Sequence, residues 1–239
     1  MDRRRPGPPG AAHSSDVQDE LSGLFSSGVA VRSGPVVPHP TALRPLELQA
    51  AKAMGRARRA EFESGRALAR QALAALGAPA ADLPPDGDRV PAWPAGYCGS
   101  VSHARCADAS LCAVAVAPLG ECLSVGLDVE CARMLEPRVA RRVVTPFEWQ
   151  QLAAEGFDAG DLAVTLFAAK EAVYKAQFPL TRRFLDFPEV RIHLNSPEGT
   201  FAATVMPAAG DEPAGAAVFA GRFCHTAEFV AAAVEIPAP

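Results

Sequence analysis

Ser124-Val125-Gly126-Leu127-Asp128-Val129-Glu130 and Phe167-Ala168-Ala169-Lys170-Glu171-Ala172-Val173-Tyr174-Lys175-Ala176 are the two stretches from which the rest of the chain is read. The first is apolar up to its acidic end, as a buried strand is. Strand side chains alternate faces, so Asp128 and Glu130 project on the same side. The second has the composition of a buried helix, with Phe167, Glu171 and Lys175 following one another at i, i+4 spacing on one face. Glu171 then supplies a third carboxylate. Oxygen ligands of this kind select Mg²⁺ over zinc, and Mg²⁺ favours sites where a few carboxylates share it with phosphates and water. A lysine beside such a group points to phosphate chemistry.

Composition sets the outer limits. The 239 residues, 49% of them apolar, can bury one sizeable core or two small ones packed together. A net charge of −4 and a pI near 5.8 argue against a general nucleic-acid binder, which needs a basic surface. No run reaches the roughly 18 apolar residues of a membrane span, and no apolar segment follows the N-terminal arginines. A cytoplasmic location with no membrane partner is the expectation. The six cysteines, at 98, 106, 112, 122, 131 and 224, form no C-x-x-C pair and are expected to be reduced thiols. Lysine occurs only at 52, 170 and 175, so two of three fall within one helix motif.

GLDVE followed by FAAKEAVYKA resembles the paired signature of the 4'-phosphopantetheinyl transferases, a (G)-(I/L/V)-D-(I/V/A)-E strand and a (W/F)-x-x-K-E-x-x-x-K helix. That family moves the phosphopantetheine arm of coenzyme A onto a serine of an apo carrier protein. The resemblance implies a metal site at Asp128, Glu130 and Glu171, holding Mg²⁺ or alternatively Mn²⁺. It implies Glu171, Lys175 and Lys170 as catalytic residues, with both lysines also facing coenzyme A. Phe167 stands where the family more often has Trp.

Upstream, a helical pattern runs from Leu46 to about Leu76, broken near Gly55, and its second piece ends on Gly77 as a C-cap. Arg58, Arg59, Arg66 and Arg70 lie on this helix. Taken alone they fit a solvated face. The family, however, carries R-R-x-E-F-x-x-x-R here, and the resemblance assigns Arg58 and Arg66 to the 3'-phosphate of coenzyme A, a role suited to guanidinium groups. Next, Trp93-Pro94-Ala95-Gly96 leads into Ser100-Val101-Ser102-His103. A lone histidine is more often structural than functional. The match to the family's S-x-S-H motif assigns Ser102 and His103 to coenzyme A, with Arg89 upstream sharing the phosphate.

The remaining elements are read from pattern. Met1 to about Ser15 is expected to be a disordered tail, Asp16 to Phe25 a short helix and Gly28 to Arg32 a strand. Leu111 to Ala117 reads as a buried strand, with Cys122 to Val129 its expected antiparallel neighbour across Pro118-Leu119-Gly120. One or two short helices fit between Glu136 and Gly156, capped at Thr145. The lysine-bearing helix is expected to start at Asp161 and stop at Pro179. Four strands should follow, at 190–194, 200–205, 216–223 and 228–234. The fold class expected is α+β. By the resemblance it consists of two similar α+β halves related by a pseudo-twofold, residues 16–124 and 125–239, with coenzyme A between them.

The resemblance further implies Mg-dependent transfer with release of 3',5'-ADP, and a monomer. The partners would be acyl or peptidyl carrier proteins, or carrier domains of polyketide and nonribosomal peptide synthases, in siderophore and other secondary metabolism. Arg138, Arg141 and Arg142 would offer a basic surface to an acidic carrier. Two alternatives stay open from the residues themselves: a catalytically degenerate coenzyme A-binding module, and another Mg-dependent phosphotransferase.

Overall fold

The computed structural model describes residues 12–133, 135–154, 159–206 and 217–239. Its order is α1 (Ala12–Gly23), β1 (Ala30–Gly34), α2 (Pro45–Ala51), α3 (Arg56–Ala75), β2 (Tyr97–Arg105), β3 (Ser110–Pro118), β4 (Cys122–Cys131), α4 (Pro137–Val143), α5 (Pro146–Ala154), α6 (Ala159–Thr181), β5 (Val190–Asn195), β6 (Thr200–Val205), β7 (Ala217–His225) and β8 (Phe229–Pro237). The class is α+β, as expected. Strands β1–β3–β2 make one antiparallel sheet and β4–β8–β7–β6–β5 another.

Four expectations need correction. The first helix begins at Ala12, so the last residues of the supposed tail are helical, while residues 1–11 lie outside the described residues. β4 does not pair with β3. Both edges of β3 are already filled by β1 and β2, so β4 joins β8 in the second sheet. Pro179 lies inside the last turn of α6 and does not stop it; the helix ends two residues on, before Arg182 in the left-handed region at φ 55°. Finally, Cys106 and Cys131 are joined in a disulfide with Cα atoms 5.7 Å apart, linking the segment just past β2 to the end of β4. Cys98, Cys112, Cys122 and Cys224 are free thiols.

Alternation on β4 sorts its side chains. Val125, Leu127 and Val129 enter a core shared with α1, Ala113 and Ala115 of β3, and Ala231 and Ala233 of β8. The other β4 face carries Gly126, Asp128 and Glu130 towards α6. On the far side of the first sheet, α3 packs Ala69, Ala72 and Leu73 against Val114 and Val116. α6 covers the second sheet with Ala168, Ala169, Ala172, Val173 and Ala176, all fully buried among Ile192, Leu194, Ala232 and Val234. Between the sheets, β2 and β4 lie edge to edge, bridged by serine side chains. The Leu127 N–H donates to Ser100 Oγ (3.0 Å), and the Val129 N–H to Ser102 Oγ (3.2 Å).

Gly126 is required for this packing. A Cβ there would lie 1.9 Å from the Ala172 carbonyl oxygen and 2.8 Å from the Ala176 nitrogen, both backbone atoms of α6 that cannot swing aside. Overpacking a core usually costs about 1–3 kcal/mol, and a clash with backbone belongs at or above the top of that range. Gly126→Ala should therefore lose about 3 kcal/mol or more of stability in urea unfolding. A variant as stable as the parent would mean that α6 is not seated on β4 in this way.

Candidate active site

Asp128 stands at the meeting of both sheets and α6. It is 3% exposed, and its Oδ1 accepts from Ser102 Oγ (2.8 Å) and from Lys175 Nζ (2.6 Å). Its other oxygen, Oδ2, is buried with no hydrogen-bond partner among the described residues. A buried carboxylate oxygen left bare is costly, and it is the kind of atom that a cation satisfies. Lys175 completes its donors on Ser102 Oγ (3.1 Å) and the Leu127 carbonyl (3.2 Å).

The other two carboxylates share this field. Glu130 is pushed up to about 7, by burial first and then by Asp128 and Glu171, against the pull of Lys175 and Arg133. Glu171 is raised by burial and then by Asp128, again against Lys175. One ammonium thus faces three coupled carboxylates, which fits a site that takes a divalent cation. Among the described residues no group of three or more His, Cys, Asp or Glu is closed into ligand geometry, and Lys175 occupies the Oδ1 side of Asp128.

Lys170 is placed elsewhere. Its ammonium, 1% exposed, donates to the Val143 carbonyl (2.7 Å), Glu148 Oε2 (2.9 Å) and the Phe187 carbonyl (3.1 Å). All three N–H groups are committed, so the structure makes Lys170 an anchor of α6 and leaves it no donor for a phosphate. Its partner Glu148 went unassigned in the sequence beyond its place in the Thr145 cap. It also accepts from the N–H groups of Thr145 (2.7 Å) and Ile192 (2.8 Å), tying α5, α6 and β5 together. Ser102 likewise belongs to the Asp128 cluster, and its hydroxyl is used up between the two sheets and Lys175.

The basic residues expected to meet do so. Arg58, Arg66, Arg89 and His103, from three separate stretches, line one cavity of about 480 Å³. Arg66 is 4% exposed, donates from Nε to the Leu83 carbonyl (2.6 Å) and stacks its guanidinium over Phe62 at 4.3 Å. Burial lowers its pKa to about 10, so it stays charged at neutral pH. Of the remaining arginines of α3, Arg59 pairs with Glu63 (2.8 Å) and Arg70 with the buried Glu47 (2.7 Å), which are structural roles.

Glu61, inside the R-R-x-E-F motif but given no role from sequence, organises the cavity wall. Its carboxylate lies 2.8 Å from His103 Nε2, 3.3 Å from Arg58 and 3.7 Å from Arg105. His103 is lowered from its ordinary value chiefly by burial, with Glu61 pulling upward and Arg58 and Lys175 downward. A second, smaller cavity of about 190 Å³ shares Arg89, Pro91 and Val101 with the first and is walled on its other side by Tyr174, Lys175 and Phe178. One cleft therefore leads from the arginines to Lys175, behind which lies Asp128. Beyond Tyr174 a further small hollow is lined by Glu171, Phe184, Leu185 and Phe187.

A cleft with a basic wall at one end and a lysine among coupled carboxylates at the other suits an enzyme that handles phosphate. The comparisons say which. The 4'-phosphopantetheinyl transferase N-terminal domain profile matches residues 46–117, and that of the 4'-phosphopantetheinyl transferase superfamily matches residues 124–229. The chain is 34% identical to 4'-phosphopantetheinyl transferase Svp of Streptomyces mobaraensis over 75% of its own length and 72% of the relative's. It is 37% identical to 4'-phosphopantetheinyl transferase Npt of Nocardia iowensis over 60% of its length and 62% of the relative's. It is also 37% identical to enterobactin synthase component D of Escherichia coli, over 56% of its length and 62% of the relative's. The chain belongs to the 4'-phosphopantetheinyl transferase superfamily.

The raised carboxyls carry a pH signature in metal-free protein. A folded-state pKa above the unfolded value means that the folded chain holds its proton more tightly, so stability is greatest at low pH and falls as pH rises through the folded pKa. For Glu130 that window runs from its ordinary 4.5 to about 7. In a chelator, melting temperature should fall across this window in the wild type and fall less in Glu130→Gln. Parallel curves for the two proteins would mean that burial and the neighbouring carboxylates do not raise Glu130 as described.

Proposed function

We propose that this chain transfers the 4'-phosphopantetheine arm of coenzyme A to a serine of an apo carrier protein. The observation that carries the reading is that the cavity lined by Arg58, Arg66, Arg89 and His103 adjoins one lined by Lys175, whose ammonium is held by Asp128 and shares its field with Glu130 and Glu171. The basic cavity suits the 3'-phosphate, a dianion remote from the bond that breaks, and binding it there holds the pyrophosphate towards Lys175. Asp128, Glu130 and Glu171 would hold Mg²⁺, which when bound neutralises pyrophosphate charge. Phosphoryl transfer asks mainly for positioning and charge stabilisation from the protein.

In this reading the serine oxygen forms a bond to the β-phosphorus, the bond from that phosphorus to the bridging oxygen breaks, and 3',5'-ADP leaves. Lys175 stabilises the charge growing on the leaving phosphate. Glu171 takes the proton of the serine hydroxyl, a task helped by its raised pKa. The carrier docks beside this end of the cleft, where Arg138, Arg141 and Arg142 of α4 are exposed. Carriers of polyketide, nonribosomal peptide or siderophore synthases are the proposed partners, met by a cytoplasmic monomer of two α+β halves. Among the described residues no helix is long and apolar enough to cross a membrane.

Incubation with coenzyme A, Mg²⁺ and a panel of apo carriers, followed by intact mass spectrometry, should show the addition of one phosphopantetheine per carrier. No addition to any apo carrier would sink the reading. Glu171→Gln should lower kcat by ~10² to ~10⁴-fold with nearly unchanged affinity for coenzyme A. An equal loss of binding and turnover would make Glu171 chiefly a metal ligand.

A further inference from the structure

The 84–91 segment, on the rim of the cleft, is more tightly built than a surface loop requires. The Asp86 N–H donates to the Val90 carbonyl (2.8 Å) and the Arg89 N–H to the Asp86 carbonyl (3.0 Å). Asp86 Oδ1 accepts from the N–H groups of Asp88 and Val90, each at 2.9 Å. Inside this turn Arg89 adopts a left-handed backbone, φ 70°. The remaining carboxylate oxygen of Asp86 is held from across the cleft. Arg182, just past the end of α6, donates from Nη1 to Asp86 Oδ2 (2.8 Å) and to Asp88 Oδ2 (3.0 Å). Its guanidinium lies 5.7 Å from the centre of the Phe178 ring.

Two features set this bridge apart from an ordinary surface ion pair. Among the described residues, Arg89 and Arg182 are the non-glycine residues with positive φ, at 70° and 55°. Such conformations persist where the surroundings over-determine them, and they gather at functional sites. Here Asp86 binds both ends, the turn through Oδ1 and Arg182 through Oδ2. The bridge also crosses a cavity with Asp88, Arg89, Val90 and Pro91 on one wall and Tyr174, Lys175, Phe178 and Pro179 on the other. Burial would raise the Asp86 carboxyl, but hydrogen bonds from Arg182 and from the Val90 and Asp88 N–H groups outweigh it and hold it below its ordinary value.

We propose that Arg182 is a positioning residue: with Asp86 and Asp88 it forms a latch over the cleft that fixes the Asp86–Val90 turn and so aims Arg89 at the phosphates of the coenzyme. The latch rests on the coenzyme A reading above. It has a second effect, because Arg182 covers two carboxylates that would otherwise face a polyanion at the entrance. Exposed ion pairs contribute little to global stability, so the latch acts on binding and leaves the melting temperature nearly unchanged.

The test compares wild type, Arg182→Gln, Arg182→Lys and Asp86→Asn, with coenzyme A and dephospho-coenzyme A as donors and one apo carrier as acceptor. Arg182→Gln should raise KM for coenzyme A roughly three- to tenfold with little change in kcat. The increase should be smaller for the donor lacking the 3'-phosphate, and Arg182→Lys should recover part of it. Asp86→Asn decides between positioning and plain charge screening. It removes a negative charge from the rim, so screening alone predicts tighter coenzyme A binding, whereas the latch predicts weaker binding. Tighter binding by Asp86→Asn, or unchanged donor discrimination in Arg182→Gln, overturns the latch while leaving the transferase reading intact. A wild type that modifies no carrier overturns both.

Discussion

The carbonyl oxygen of Ala172 stands 1.9 Å from where a Cβ of Gly126 would be, and the arrangement of the Asp128, Glu130, Glu171 and Lys175 cluster depends on that close approach. Because no side chain of Gly126 separates β4 from α6, the helix lies directly on the strand there, with Ala172 and Ala176 at the contact. Side chains flanking such a contact are forced to short range. Glu171 and Lys175, one helical turn apart, come down beside Asp128 and Glu130, two residues apart on the strand. A wider spacing between the elements would leave the Lys175 ammonium short of the 2.6 Å contact it makes with Asp128.

Close approach gathers charge, and the fold distributes it unequally between the two lysines of α6. Lys170 is neutralised inside the protein by Glu148, with two backbone carbonyls completing its shell. A buried pair of this kind adds little net stability, but removing either partner strands the other. Lys175 sits among three carboxylates and cannot balance them, so burial first and then their mutual repulsion leave Glu130 and Glu171 with raised pKa values. The first lysine sets where α6 lies, and the second sets the electrostatics of the cleft. An identical side chain five residues away along one helix thus has a different job because of what surrounds it.

Much of this was legible in the sequence. Alternation in Gly126 to Glu130 and the i, i+4 spacing of Phe167, Glu171 and Lys175 are local periodicities, and they put the right residues on facing surfaces. The convergence of Arg58, Arg66, Arg89 and His103 was legible only by resemblance, since nothing local ties three distant stretches together. What escaped was non-local. The sheet that β4 joins depends on which edges are already taken, and β3 had none left. The burial of Lys170 depends on Glu148, twenty-two residues earlier in the chain, and on the carbonyls of Val143 and Phe187. The Cys106–Cys131 bond depends on the ends of β2 and β4 being neighbours. Spacing along the chain shows none of this.

The serine seam between β2 and β4 has a further consequence for the molecule as a solute. Both strands are terminal in their sheets, and terminal strands present unpaired amide and carbonyl groups that can recruit another chain. Ser100 and Ser102 fill part of that valence with hydroxyls, taking the N–H groups of Leu127 and Val129. The two longest unpaired borders, of 9 and 10 residues, therefore face inward and close on each other. The borders without a neighbouring strand are β1 and β5, of only 5 and 6 residues; Gln18 of α1 takes the Val31 carbonyl and the Ser33 N–H of the first, Glu148 takes the Ile192 N–H of the second, and β5 carries the polar Arg191, His193 and Asn195 at alternate positions. Joining two sheets through side chains hides the edges most prone to self-association.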